Sequence, residues 1–120
     1  MKALFDTNIL IDYLNGIEAA REELDRYETG LISVVSWMEV MVGAEEGEAA
    51  TIRAFLAQFQ QVPLTGEIAE MAVDIRRQTK VRLPDAIIWA SARSENALLV
   101  SRNTKDFPPD SPGVRMPYKV

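Results

Sequence analysis

Residues 2–14 read Lys2-Ala3-Leu4-Phe5-Asp6-Thr7-Asn8-Ile9-Leu10-Ile11-Asp12-Tyr13-Leu14, and a change of period inside this stretch decides the fold class. Lys2–Phe5 is a short apolar run, the mark of a buried strand, and it ends at Asp6. From Asn8 to Leu14 the apolar residues Ile9, Leu10, Tyr13 and Leu14 fall at helical spacing, and Asn15-Gly16 stops the helix. A buried strand feeding straight into a helix is the opening of an α/β chain.

The same alternation continues along the chain. Glu18–Tyr27 reads as a second, charged and mostly exposed helix, and Leu31–Val35 as a strand. Ser36 then opens a helix carrying Trp37, Val40, Met41 and Ala44 on one side. Gly47 to Phe59 places Ile52, Phe55, Leu56 and Phe59 at i, i+3, i+4 and i+7 of another helix. Gln61–Leu64 is a short strand, and Thr65 caps a helix that runs to about Gln78 with Ile68, Ala72 and Ile75 inward. Pro84 suits the first position of a helix over Asp85 to about Ser94. Ala97–Val100 is a buried strand, Ser101–Pro112 a loop, and Val114–Met116 an edge strand limited by Pro117. Short apolar strands alternating with helices predict a mainly parallel sheet of about five strands, covered on both faces. Ligands of such sheets bind at the carboxyl ends of the strands.

Composition narrows the chemistry. At 120 residues, with 48% hydrophobic and 26% charged residues, the chain has the size and balance of one globular domain over 1–120. Such a length buries roughly 60–70% of the unfolded surface, so it needs no covalent staples. No apolar run approaches the length of a membrane span, and the first strand starts too early for a signal peptide. With no cysteine, disulfides, thiolate metal sites and thiol nucleophiles are excluded; with no histidine, imidazole bases and imidazole metal sites go too. Catalysis here must run on carboxylates, a bound metal, hydroxyls or lysines. The net charge of −5 is unevenly spread: residues 1–75 hold 4 basic and 14 acidic side chains, residues 76–120 hold 9 and 4. A basic C-terminal third is compatible with a phosphate-binding patch, although charges on solvated helices and loops need no ligand.

Four carboxylates occupy positions of interest. Asp6 closes the first strand, where it also suits a helix N-cap. Glu39 stands three residues after Ser36, the spacing of a capping box. Asp85 lies in the first turn of a helix, and Asp106 in the loop after the last buried strand. Each has a structural explanation of its own; none of these accounts for their shared placement at or near one edge of a parallel sheet. Several unpaired carboxylates in one cleft repel each other unless a cation neutralises them. An all-oxygen site selects hard ions such as Mg²⁺ or Mn²⁺, and such an ion activates water for attack at phosphorus.

Phe5-Asp6-Thr7-Asn8-Ile9-Leu10-Ile11-Asp12 resembles the opening of PIN domains, the nuclease fold of VapC-type toxins. Ser33-Val34-Val35-Ser36-Trp37-Met38-Glu39-Val40 is similar to their second signature and Leu83-Pro84-Asp85-Ala86-Ile87-Ile88-Trp89-Ala90 to their third. Leu99-Val100-Ser101-Arg102-Asn103-Thr104-Lys105-Asp106-Phe107 resembles the fourth, so the likeness covers essentially the whole chain in order. The resemblance implies a three-layer α/β/α sandwich and a metal-dependent endoribonuclease of the cytoplasm. It implies that Asp6, Glu39, Asp85 and Asp106 are the catalytic acids, with Asp6 and Asp85 on Mg²⁺ or Mn²⁺. Thr7, Asn8, Ser101 and Asn103 then fall at supporting polar positions, with Ser101 in place of a more usual threonine. The partners it implies are an RNA substrate, a small cognate antitoxin and a second copy in a homodimer, with no membrane.

Basic residues flank these motifs. Arg102 and Lys105 are candidates for RNA contact, as are Arg76, Arg77, Lys80 and Arg82 before the third motif. Trp37, Met38 and Met41 serve either the core or a dimer interface, and Trp89 reads as packing. Within the same fold the other readings are a housekeeping RNA-processing nuclease or an inactive binding module. A phospho-acceptor receiver domain shares the length, the alternation and an acidic Mg²⁺ pocket. It requires an acceptor aspartate after its middle strand, and none occurs between Asp25 and Asp74.

Overall fold

The computed structural model describes residues 1–120. Strand β1 (Lys2–Phe5) is followed by helices α1 (Thr7–Leu14) and α2 (Glu18–Asp25), then by β2 (Thr29–Ser33) and α3 (Val34–Val42). A 3₁₀ turn at Glu46–Glu48 leads into α4 (Ala49–Leu56), β3 (Gln60–Val62), α5 (Gly66–Gln78) and α6 (Leu83–Ser94). Strands β4 (Leu98–Val100) and β5 (Val114–Arg115) complete the chain. The five strands form one sheet in the order β3-β2-β1-β4-β5, and every pairing is parallel. This is the parallel α/β architecture that the alternation of periods predicts. No helix is long and apolar enough to cross a membrane.

Side chains alternate across the sheet, and each parity meets its own layer of helices. Leu4, Leu31, Val62, Leu99 and Val114 share one buried cluster with Ile68, Ala72 and Ile75 of α5 and Ala86, Ile88 and Trp89 of α6. Ala3, Phe5, Ile32 and Val100 share the other with Ile9 and Leu10 of α1, Val40 of α3, and Ile52 and Leu56 of α4. Burial on both faces explains why the strands read as continuous apolar runs. Helix α1 ends as its sequence indicates: Asn15 is the C-cap and Gly16 takes φ +81°, a conformation that favours glycine.

Several boundaries differ from the sequence expectation, each for a local reason. Strand β2 ends at Ser33, and the Ser33 hydroxyl accepts from the Val35 N–H at 3.1 Å, making Ser33 the N-cap of α3. The β-branched pair Val34-Val35 therefore begins the helix instead of extending the strand. Ser36 is fully buried inside α3, and Glu39 lies in its second turn, so the two form no capping box. A capping box does form at Glu45 and Glu48, where the Glu45 N–H donates to Glu48 Oε1 at 3.0 Å. The helix expected over Gly47–Phe59 is divided into the 3₁₀ turn, α4, and a turn reaching Phe59. Strand β3 stops at Val62 because Pro63 has no N–H to pair. Pro84 stands second in α6, after Leu83. Helix α2 is not wholly a solvent helix: Glu23 is 4% exposed and bound by Arg115.

Gly30 in β2 tests how tightly the sheet is packed. A Cβ built there would meet Phe59 at 3.0 Å and Phe5 at 3.2 Å, and Phe5 is fully buried and packed edge-on against Phe59. Overpacking of this kind costs about 1–3 kcal/mol. Urea titration of Gly30→Ala should show a lower midpoint with an unchanged slope; a midpoint equal to wild type would show that the ring has room to yield.

Candidate active site

The chain leaves β1 toward β2 and β3, then returns to place β4 on the other side of β1. The point where strand order reverses, between β1 and β4, is where parallel sheets open a crevice at their carboxyl ends. Asp6 follows β1 and Ser101 follows β4, and the Asp6 N–H donates to the Val100 carbonyl at 2.9 Å.

Asp6 is 3% exposed and is held entirely by hydrogen bonds. As N-cap of α1, its Oδ1 accepts the Thr7 N–H at 2.7 Å. Its Oδ2 accepts the Ser101 hydroxyl at 2.7 Å and Asn8 Nδ2 at 3.3 Å. Ser101 Oγ accepts in turn from Asn8 Nδ2 at 3.3 Å and the Asn103 N–H at 2.9 Å, which fills its one donor and two acceptor sites. Asn8 Oδ1 takes the Arg102 N–H at 3.3 Å, tying the loop after β4 to α1. Capping and site assembly are thus the same set of bonds.

The other three carboxylates approach from separate elements. Glu39 Oε1 lies 2.6 Å from Thr7 Oγ1, which is also 2.9 Å from Ser36 Oγ. A hydroxyl has one proton, so Thr7 donates to Glu39 and accepts from Ser36. Asn103 Nδ2 donates to Asp106 Oδ2 at 3.0 Å while its Oδ1 accepts the Asp106 N–H at 3.2 Å. Asp85, in the first turn of α6, lies near enough to Asp106 for the two carboxyls to interact. Arg82 reaches over both, with Nη2 3.2 Å from Asp85 Oδ2 and 3.7 Å from Asp106 Oδ2.

Electrostatics record this crowding. Burial raises the pKa of Asp6, helped by the charges of Glu39 and Asp106 and opposed by its bonds from Ser101 and Thr7. Burial, then the charges of Asp6 and Asp106, push the Asp85 carboxyl up to about 6, although Arg82 opposes the rise. No three of the carboxylates are close enough to form a ready-made cation cage. The arrangement is an acidic pit with one cation, Arg82, at its rim.

Of the residues singled out in the sequence, Asp6, Thr7, Asn8, Ser101, Asn103 and Asp106 form one bonded network. Glu39 joins it through Thr7, and Asp85 through Arg82, which reaches both Asp85 and Asp106. Arg102 and Lys105 part company. Arg102 donates from Nε and Nη2 to the Asp12 carboxylate, at 2.5 and 3.0 Å, and the Tyr118 hydroxyl donates to Asp12 Oδ2 at 2.8 Å. Lys105 is exposed. Asp12, Ser36 and Tyr118 carry contacts that sequence reasoning did not assign. Asp12 had a signal: it follows Asn8 by four residues on α1, which places both on one face. Tyr118 had none, since its partner lies 106 residues away.

A PIN-domain family model matches residues 3–108. Ribonuclease VapC10 of Mycobacterium tuberculosis is 34% identical over 113 residues, spanning 88% of this chain and 85% of that protein. A toxin-antitoxin complex from Klebsiella pneumoniae contains a chain that superposes with a TM-score of 0.94 at 43% identity, over 98% of this chain and 99% of that one. DNA-bound VapBC from Salmonella typhimurium gives a TM-score of 0.77 at 25% identity, over 96% of both chains.

The crowding of Asp85 has a signed consequence in the metal-free protein. Its carboxyl titrates near 6 when folded and near 3.9 when unfolded, so the folded state binds the extra proton between those values. Its contribution to stability is fully present below about pH 4 and is lost as pH rises through about 6. Thermal melts in chelator should therefore show wild type losing stability relative to Asp85→Asn across that window. Parallel pH profiles for the two proteins would show that Asp85 is not crowded.

Proposed function

The chain belongs to the PIN-domain family, and from that membership we propose that its single domain is a divalent-metal-dependent endoribonuclease acting as the toxin of a toxin–antitoxin pair. The observation that supports this reading is the network at the switch point of the sheet, which links Glu39 to Asp6 through Thr7 and Asp106 to Asp6 through Asn103 and Ser101, with Asp85 and Asp106 both reached by Arg82. A chain without histidine or cysteine has few other means of breaking a phosphodiester bond. The relatives named as a ribonuclease and as toxin–antitoxin complexes support the substrate and the biological role.

The donor set fits Mg²⁺ or Mn²⁺. Every donor is a carboxylate, hydroxyl or amide oxygen, the set that hard cations take. Mg²⁺ keeps several waters and is commonly bound through only one or two carboxylates, so a site without three converged acids is adequate. Asp6 and Asp85 are the residues that would hold it. When bound, the ion supplies positive charge that activates water and stabilises the developing charge of an in-line displacement.

The protein's own groups have distinct tasks. Ser101, Asn8 and the Thr7 N–H hold the Asp6 carboxylate in one orientation, so little reorganisation is needed on reaction. Thr7 fixes Glu39 through Oε1, leaving Oε2 free to take a proton from the attacking water. Asn103 orients Asp106. A small antitoxin is the expected inhibitor, with an arginine or lysine that competes with the metal for the carboxylates. The same reading carries a homodimer.

Purified protein should cleave RNA with Mg²⁺ or Mn²⁺ and be silenced by chelator. Asp6→Asn and Asp85→Asn should each lower turnover by about two orders of magnitude or more while the fold persists. Water attack predicts 5′-phosphate and 3′-hydroxyl ends, separable from the alternative by end-labelling. Cleavage that survives chelator, or 2′,3′-cyclic phosphate ends, would overturn the mechanism.

A further inference from the structure

The basic residues of the C-terminal third divide into committed and uncommitted groups. Arg102 is held by Asp12 and Arg115 by Glu23, both carboxylates being buried. Arg93 lies over the Trp89 ring, 4.7 Å from its centroid. Lys80 and Lys105 pair with no carboxylate within 4.0 Å, yet they come from segments 25 residues apart to line one cleft of about 350 Å³. Asp106 of the acidic pit lines the same cleft, whose walls include Thr79, Pro108 and Ser111. Trp89 also contributes, but it is 7% exposed and packed edge-on against Phe107, so it is wall and not a stacking surface.

Arg82 stands between pit and cleft. Its side chain is 75% exposed while its head touches Asp85 and Asp106, so it is a weakly held counter-charge free to swing. A guanidinium binds phosphate through parallel hydrogen bonds, and a bound divalent ion would repel it from the carboxylates.

Resting on the ribonuclease reading above, we propose that a single RNA strand runs from the acidic pit past Arg82 into the cleft between Lys80 and Lys105. Lys80 and Lys105 neutralise backbone phosphates there. Arg82 passes from Asp85 and Asp106 to a phosphate as the strand and the divalent ion arrive. The contacts are to phosphate, so they position the strand without reading its sequence.

Binding is measured on the full chain in chelator, by fluorescence anisotropy of a labelled single-stranded RNA of mixed sequence at a series of salt concentrations. Lys80→Gln/Lys105→Gln should bind roughly tenfold more weakly at low salt, and the slope of log K against log salt should become shallower by about 1.4. The control Lys2→Gln/Arg21→Gln, with an equal loss of positive charge, should keep the wild-type slope. Arg82→Gln should weaken RNA binding yet tighten Mn²⁺ binding, read by electron paramagnetic resonance of free Mn²⁺. If the double variant matches the control while wild type binds RNA, this strand path is wrong and the nuclease reading stands. Wild type that binds no RNA at any salt overturns both. Arg82→Gln that loses Mn²⁺ affinity, or leaves both affinities unchanged, removes the exchange of partners by Arg82.

Discussion

A carboxylate with no cation of its own sits at the centre of this protein. Asp6 is buried where β1 and β4 separate, and it is held by the Thr7 N–H, the Ser101 hydroxyl and the Asn8 amide. The Ser101 bond spans 95 residues of sequence in 2.7 Å. It exists only because the strand order 3-2-1-4-5 makes the first and fourth strands neighbours. Hydrogen bonds offset part of the cost of burying the charge, and the raised pKa shows that they do not offset all of it.

Arginines complete the frame around that centre. The chain's charge asymmetry, acidic early and basic late, is in part a set of long-range pairs. Asp12 on α1 binds Arg102 after β4, and Glu23 on α2 binds Arg115 on β5. Both pairs are bidentate, the geometry in which a guanidinium fixes position as well as charge. The first anchors the loop between Ser101 and Asn103, the two residues that orient Asp6 and Asp106. The second holds the edge strand against the helical layer. Tyr118 adds the C-terminal segment to the Asp12 carboxylate. Among the basic residues without a buried carboxylate partner, Arg82, Lys80 and Lys105 lie at or beside the pit.

Much of this was legible in the residues. The apolar runs at Lys2–Phe5 and Ala97–Val100 marked the two strands that flank the site, and Asp6 was correctly placed at the carboxyl end of the first. Local signals failed where two local explanations competed. Val34 and Val35 favour a strand by propensity, but the Ser33 cap starts a helix there, which moved Glu39 a turn deeper than the Ser36 spacing implied. Arg102 and Lys105, three residues apart, looked alike in sequence; a buried partner on α1 separates them, and no local pattern encodes that partner. Pairing across the sheet is set by topology, so Tyr118 and Arg115 acquire their roles only once the strands are ordered.

The claim that the four carboxylates form one cation site is tested most directly by melting wild type, Asp6→Asn, Asp6→Ala and Asp85→Asn at neutral pH with Mg²⁺ and with chelator. Mg²⁺ at about 100 times its dissociation constant stabilises a protein by roughly 2.7 kcal/mol, on the order of 10 °C for this size. Wild type should gain that shift; the two asparagine variants should melt higher than wild type in chelator, through relief of repulsion, and lose most of the gain. Asparagine is itself a good cap, so Asp6→Ala exposes the separate loss of the α1 cap. Equal metal-induced shifts in all four proteins would place the cation elsewhere and leave Asp6 and Asp85 as structural carboxylates.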